Sequence, residues 1–214
     1  MKKILSSFIL VIIYALSASA LAQGDPEAGE SKALLCSACH GAIGVSASSQ
    51  FPNLAGQGEK YLLKQMNDIK GGARAVVEMT GMLVAMSDQD LADIAAFYAS
   101  QEKQIIGSQE LTDDAYELSE EEFLALGERL YRGGNLDTQV PACTGCHSPR
   151  GNGNAPAGYP AIGGQHPEYI YKQLTQFQNN LRTNDGETLI MRGVARPMSD
   201  LEMRAVANYL AGLN

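Results

Sequence analysis

Two short stretches decide how this chain is read: Cys36-Ser37-Ala38-Cys39-His40 and Cys143-Thr144-Gly145-Cys146-His147. Each is a Cys-x-x-Cys-His pattern, the signature of covalent c-type haem attachment. The order of residues carries the chemistry. Two thiols one helical turn apart can add to the two vinyl groups of a haem, and the histidine directly after the second thiol is then held beneath the iron. Together the motifs use all four cysteines and two of the three histidines of the chain. Two Cys-x-x-Cys pairs could instead make a four-thiolate zinc site, a redox dithiol of lowered pKa or two disulfides. None of these explains a histidine after the second cysteine in both copies. Cys36, Cys39, Cys143 and Cys146 are therefore the expected attachment residues, His40 and His147 the expected proximal ligands, and two covalently bound haem c groups the expected cofactors.

Working outward, the motifs prove to be the centres of an internal repeat. Cys36, Cys39 and His40 recur at a shift of 107 (143 − 36). At a shift of 108 (159 − 51), Phe51-Pro52-Asn53-Leu54-Ala55-Gly56-Gln57 lies on Tyr159-Pro160-Ala161-Ile162-Gly163-Gly164-Gln165, and Tyr61, Lys64 and Gln65 lie on Tyr169, Lys172 and Gln173. Further on, at 112 (191 − 79), Met79, Met86, Ser87 and Asp88 match Met191, Met198, Ser199 and Asp200. One unit has been duplicated, with small differences in loop length.

Each unit reads as a set of short helices. A first helix is expected over 27–35 and its partner over 120–132, with an extra loop at 133–140 before the second motif. A Gly/Ser/Asn/Pro-rich loop follows each motif, and then a middle helix over 59–70 or 167–180. Its apolar stripe, Leu62, Met66 and Ile69, recurs as Ile170, Leu174 and Phe177 at the spacing of one helical face. The last helix opens on Ser87 or Ser199 with an acid three residues later, in the manner of a capping box. Nothing in either half alternates like a strand, so the expected fold is all-α, two tandem domains.

The ends and the charge set the compartment. Lys2 and Lys3 precede a mostly apolar stretch at 4–16, and Ala20-Leu21-Ala22 offers small residues at the two positions a signal peptidase reads. That stretch, interrupted by Ser6 and Ser7, is shorter than the ~20 residues of a membrane span. The expected mature protein is exported and periplasmic, with domains at 23–104 and 119–214 joined by an acidic connector at 105–118. Formal charge is −8 for the whole chain and −10 without Lys2 and Lys3. Such acidity argues against nucleic acid and anionic membranes as partners, and suits a basic docking surface on a partner or simple solubility. A half of under about 100 residues has a poor ratio of core to surface, which a bound haem would mend.

The second axial ligand decides what each iron can do. His166 is the remaining histidine, but its counterpart is Gly58, so it cannot serve both haems; a helix start or a surface position is its expected role. Methionine is the alternative, since a His/Met pair raises the reduction potential. The repeat removes Met82, whose partner is Val194. Met86 and Met198 each precede an N-cap serine, where an apolar residue staples onto Leu91 or Met203. Met79 and Met191 lie in the loops before that helix with no such packing role, and are the expected ligands. The carbonyls of Pro52 and Pro160, in matching loops, are candidates to take the other ring N–H of each histidine.

With these residues in hand, the mature chain resembles the cytochrome c4 family, the dihaem members of the class I cytochromes c. The stretches that carry the likeness are the two motifs, FPNLAGQGEKYLLKQMNDIKGG, VEMTGML before SDQDLADIAAFY, PACTGCH and RTNDGETLIMRGVA. The resemblance implies two class I domains with their haem propionate edges close together. It also implies His/Met ligation of both irons, with the family's methionines falling on Met79 and Met191. It implies an electron carrier, not an enzyme, with redox proteins as partners: a donor such as a quinol-oxidising membrane complex and an acceptor such as a terminal oxidase. A monomer is expected, and loose association with a membrane stays open. The rival readings are a dihaem electron-transfer subunit of a flavin dehydrogenase, such as sulfide dehydrogenase, and a dihaem peroxidase with one open iron. One departure is the short segment Gly71-Gly72-Ala73-Arg74-Ala75, where relatives can have a longer loop.

Overall fold

The computed structural model of the protein describes residues 24–110 and 118–214. The expected signal peptide and residues 111–117 of the connector lie outside the described residues. The first half contains α1 (Pro26–Lys32), α2 (Leu34–His40), α3 (Glu59–Lys70), a 3-10 turn at Val77–Met79 and α4 (Asp88–Ser100). The second contains α5 (Glu120–Gly133), α6 (Thr144–His147), α7 (Pro167–Gln178), α8 (Ile190–Ala195) and α9 (Asp200–Gly212). Among the described residues the only extended pairing is two isolated bridges, Asn135 with Val140 and Asn154 with Tyr159. The fold is all-α.

The same plan is built twice. In each half the first and last long helices cross, α1 on α4 and α5 on α9, and the middle helix packs on the last, α3 on α4 and α7 on α9. Gly29 and Gly127 allow the crossings. A Cβ at Gly29 would lie 2.0 Å from the Asp93 carbonyl oxygen, and one at Gly127 would lie 2.2 Å from that of Ala205. No side chain fits there. Around the crossings sit Phe97, Tyr98 and Ile94 in the first half and Leu130, Tyr131, Val206 and Leu210 in the second.

Local chemistry sets the helix ends. Ser87 and Ser199 cap α4 and α9 with full capping boxes, their hydroxyls accepting from the Asp90 and Glu202 N–H groups while those carboxylates take the serine N–H. A third capping box, Ser119 with Glu122, starts α5. Asp25 caps α1, and Pro26 occupies its first turn. The helix expected over 27–35 is broken: the chain turns at the buried Ala33, so that one piece packs on α4 and the next carries the first motif. The middle helix is 59–70 as expected, and its partner stops at Gln178, two residues early.

The described start of the connector is extended but not free. Gly107 N–H donates to the Ala211 carbonyl (2.9 Å), and Gln109 and the Asn208 side-chain amide exchange two hydrogen bonds (2.7 and 3.0 Å). The backbone of this segment is thus tied to the end of α9, while most of residues 105–110 stay exposed to solvent.

Candidate functional site

One cavity of about 1110 Å³ runs between the halves. That exceeds the ~300–1,000 Å³ of a typical single small-molecule site. Cys36, Cys39 and His40 line it from α2, Cys143 from the N-cap of α6, and Cys146 and His147 from within α6. Met79, at the end of the 3-10 turn, and Met191, inside α8, line it as well, so both sit in short helical turns rather than loops. The expected middle-helix stripe, Leu62, Met66, Ile69, Ile170, Leu174 and Phe177, also faces this space. Its wall is mostly apolar, which is where a flat macrocycle gains most from leaving water.

The four cysteines are free of disulfides. Among the described residues no three His, Cys, Asp or Glu side chains converge as a metal site, so the cysteine pairs do not form a shared zinc centre. Nor do Cys36 and Cys143 have the lowered thiol pKa of a redox dithiol. Burial raises the Cys36 thiol and pushes the Cys143 thiol up to about 11, the opposite of what a redox-active thiolate needs.

Both histidines are buried and held alike. His40 Nδ1 lies 2.9 Å from the Pro52 carbonyl oxygen, and His147 Nδ1 lies 3.0 Å from that of Pro160. A carbonyl only accepts, so Nδ1 carries the proton and Nε2 is bare for a metal. Desolvation lowers both imidazole pKa values, with the carbonyls opposing in part. At neutral pH the rings are therefore uncharged, as ligation requires. Phe51 packs near the His40 ring edge-on (6.2 Å between centroids) and Tyr159 near that of His147 (6.3 Å).

The methionines set aside as helix staples are also accounted for. Met198 is buried in one cluster with Met203, as the staple implies. Met86 packs against the first-half core, and its carbonyl accepts from Lys70 Nζ (2.6 Å). Met82, Met86 and Met198 all touch the cavity wall, so contact with the cavity does not by itself distinguish the five methionines.

At the boundary between the halves, two arginines meet with no carboxylate in ion-pair contact among the described residues; Asp68 acts on Arg74 only at longer range. The Gln65 carbonyl oxygen accepts from Arg74 Nη1 (2.8 Å) and Arg182 Nη2 (3.0 Å). The Gln173 oxygen accepts from Arg74 Nη2 (3.0 Å) and Arg182 Nη1 (2.7 Å). Tyr169 and Tyr61 hydroxyls complete the cluster, 3.2 Å from Arg74 and 3.4 Å from Arg182. Two like charges sharing amide oxygens, one of them 7% exposed, are unfavourable unless an anion joins them. The Asn53 side-chain N–H group on the same cavity wall is buried with no acceptor. Haem carboxylates would supply what these groups lack. The residues present therefore fit the prosthetic group: paired thiols, bare imidazole nitrogens, an apolar wall, and two cations and an orphan donor that could meet its carboxylates.

A duplicated helical unit whose Cys-x-x-Cys-His motif ends in a buried histidine in each copy defines a covalent dihaem protein. The cytochrome c family model matches residues 30–102 and 124–214. The chain is similar to cytochrome c4 of Pseudomonas aeruginosa, 50% identical over 214 residues that span all of both chains. It is similar to the solved structure of reduced recombinant cytochrome c4 from Pseudomonas stutzeri, with TM-score 0.81 and 50% identity over 89% of this chain and 100% of that one. A more distant relative is the thiosulfate dehydrogenase electron acceptor of Stutzerimonas stutzeri, 34% identical over 85% of this chain and 80% of that protein. The chain belongs to the cytochrome c family and, within it, to the dihaem cytochromes c4. It carries two covalently bound haem c groups and is an electron-transfer protein rather than an enzyme.

Sequence reasoning missed the interface. Arg74 and Arg182 stand at the same shift of 108 (182 − 74) as Tyr61/Tyr169 and Gln65/Gln173, and that match was the available signal. His166 starts α7 as expected but is buried, not on the surface; its Nε2 donates to the Ser46 carbonyl of the other half (3.1 Å).

Proposed function

We propose that the protein is a periplasmic carrier of single electrons between respiratory partners, from a quinol-oxidising membrane complex to a terminal oxidase. In this reading Cys36 and Cys39, and Cys143 and Cys146, form the thioether links. His40 with Met79, and His147 with Met191, are the axial pairs. Domains 23–104 and 119–214 each hold one haem, behind a signal peptide at 1–22. When bound, each haem supplies a one-electron couple. The protein's own residues hold neutral imidazoles by their Nδ1–H groups, exclude water with the middle-helix stripe, and place two cations at the domain boundary. The observation that carries the reading is the paired geometry of His40–Pro52 and His147–Pro160 on one cavity that Met79 and Met191 also line. No helix among the described residues is long and apolar enough to cross a membrane.

Single replacements test the ligand set. Met79→Ala and Met191→Ala should each make one haem of the two react with carbon monoxide and remove half of the Met-to-ferric absorption band. Met86→Ala and Met198→Ala should leave that band whole; the reverse pattern would refute the assignment. A second reading, an electron acceptor docked directly to a dehydrogenase, is favoured by the likeness to the thiosulfate dehydrogenase electron acceptor. Stopped-flow reduction separates the two: fast reduction by quinol-energised membranes supports the respiratory role, and fast reduction by a purified dehydrogenase alone supports the other.

A further inference from the structure

We propose that Gln57 and Gln165 are reciprocal positioning residues, each orienting and polarising the peptide group that holds the proximal histidine of the opposite half. The inference rests on His40 and His147 being the iron ligands.

The geometry is doubled. Gln57 Oε1 accepts from the Ala161 N–H (3.0 Å), and its Nε2 donates to the Ala161 carbonyl (2.6 Å). Gln165 Oε1 accepts from the Asn53 N–H (2.9 Å), and its Nε2 donates to the Asn53 carbonyl (3.0 Å). Gln57 belongs to the first half and Ala161 to the second; Gln165 and Asn53 reverse the direction. All four residues are buried, so no water competes for these groups.

What makes the contact more than an interface clamp is which peptide it touches. The Ala161 N–H and the Pro160 carbonyl belong to one planar peptide group, as do the Asn53 N–H and the Pro52 carbonyl. The Pro160 carbonyl is the acceptor of His147 Nδ1, and the Pro52 carbonyl that of His40 Nδ1. Each histidine therefore ends a continuous chain of hydrogen bonds that crosses the boundary: glutamine oxygen of the opposite half, peptide N–H, carbonyl of the same peptide, imidazole Nδ1–H. Hydrogen bonds in series strengthen one another. A peptide that donates through its N–H is a better acceptor at its oxygen, and a better acceptor on Nδ1 makes the imidazole a stronger donor to a metal. The planar link also fixes the direction of the carbonyl, and with it the ring. Gln57 thus acts on the site of His147, and Gln165 on the site of His40. The two relays are not equal, because Gln165 Oε1 also accepts from the His166 N–H (3.1 Å), so the Gln57 relay is the stronger.

A stronger imidazole donor favours the ferric state, so breaking a relay raises the reduction potential of the opposite haem. The test is a site-resolved titration of the haem-loaded protein by NMR, following the resolved haem and axial-ligand signals of each half. Gln57→Ala should raise the potential of the haem bound at Cys143 and Cys146 by about two- to tenfold in its one-electron equilibrium constant, at most about 59 mV. The other haem should move less. Gln165→Ala should do the converse, with a smaller shift. In the ferrous protein, solvent exchange of the His147 Nδ1 proton should quicken in Gln57→Ala and that of His40 in Gln165→Ala. Gln57→Glu keeps the size and an accepting oxygen, and should return the potential to the parent value or below it. A shift confined to the haem of the mutated half, an equal shift of both, or none overturns the proposal. Should the alanine variants not load haem, a scalar coupling across the Ala161 N–H to Gln57 Oε1 bond in the unaltered protein decides: its absence overturns the relay. Failure of the underlying ligation would show separately, as histidine ring protons without haem ring-current shifts in the unaltered ferrous protein.

Discussion

Gly127→Ala separates packing from helix propensity at the crossing of α5 and α9. The added Cβ would lie 2.2 Å from the Ala205 carbonyl oxygen and 2.7 Å from Tyr209 Cβ. An ordinary carbon–oxygen contact is about 3.3–3.6 Å, so the helices must part by roughly 1 Å. A gap of that size forfeits a quarter to a half of each facing dispersion contact, among them those of the buried Phe123, Leu130 and Tyr131. Overpacking of this kind costs about 1–3 kcal/mol, and the better helix propensity of alanine returns about 1 kcal/mol. The net loss, up to about 2 kcal/mol, corresponds to a fall of up to about 16 °C in the midpoint of a domain this size. Gly133→Ala, on the same helix, meets nothing within 4 Å and should be neutral or slightly stabilising. Thermal unfolding of the haem-loaded variants by circular dichroism compares the two. Equal midpoints for Gly127→Ala and Gly133→Ala would refute the close-crossing explanation.

Other consequences can be measured directly. Arg182→Ala removes a buried cation from the cavity wall and four hydrogen-bond contacts to Tyr61, Gln65, Gln173 and Asn184; spectroelectrochemistry should show both potentials lowered, by up to about tenfold in equilibrium constant, about 59 mV. Arg182→Lys should recover the charge but not the shared geometry, so it should restore only part of the shift. Asp93 is held below the usual carboxylate range by the Asp25 N–H, then by Lys32 and Gln89. A depressed folded pKa gives stability that is present above the unfolded value of about 3.9 and lost as pH falls through the folded one. Denaturant titrations should therefore show Asp93→Asn with a flatter acid limb below about pH 4. Ser199→Ala breaks the capping box of α9 and should lower stability by about 1 kcal/mol, read as a shift of the same denaturant midpoint.

The duplicated plan was open to reading because its signals are local. Capping serines, the 59–70 helix and the proline carbonyls each depend on residues close in the chain. The break at Ala33 escaped because 27–35 contains no Gly-Pro punctuation at that point; what divides α1 from α2 is the competing demand of packing on α4 and presenting the motif. The helical setting of Met191 escaped because its helix is only six residues long and holds Gly193 at its centre, too short a run for a period to be read. The boundary chemistry was hidden more deeply. Gln57 and Gln165 stood aligned in the repeat, yet their meaning lies in contacts more than 100 residues away, 104 and 112 positions along the chain. His166 has no partner in the repeat, and only the opposite half explains why it is buried.

The most direct measurement is an optical redox titration of the purified, haem-loaded protein, followed by carbon monoxide on the fully reduced form. Two low-spin haems at positive potentials, a red Met-to-ferric band in the oxidised state and no uptake of carbon monoxide are the expected result. A high-spin fraction, or one haem that binds carbon monoxide, would mean an open iron and contradict a carrier with both irons held by His40/Met79 and His147/Met191.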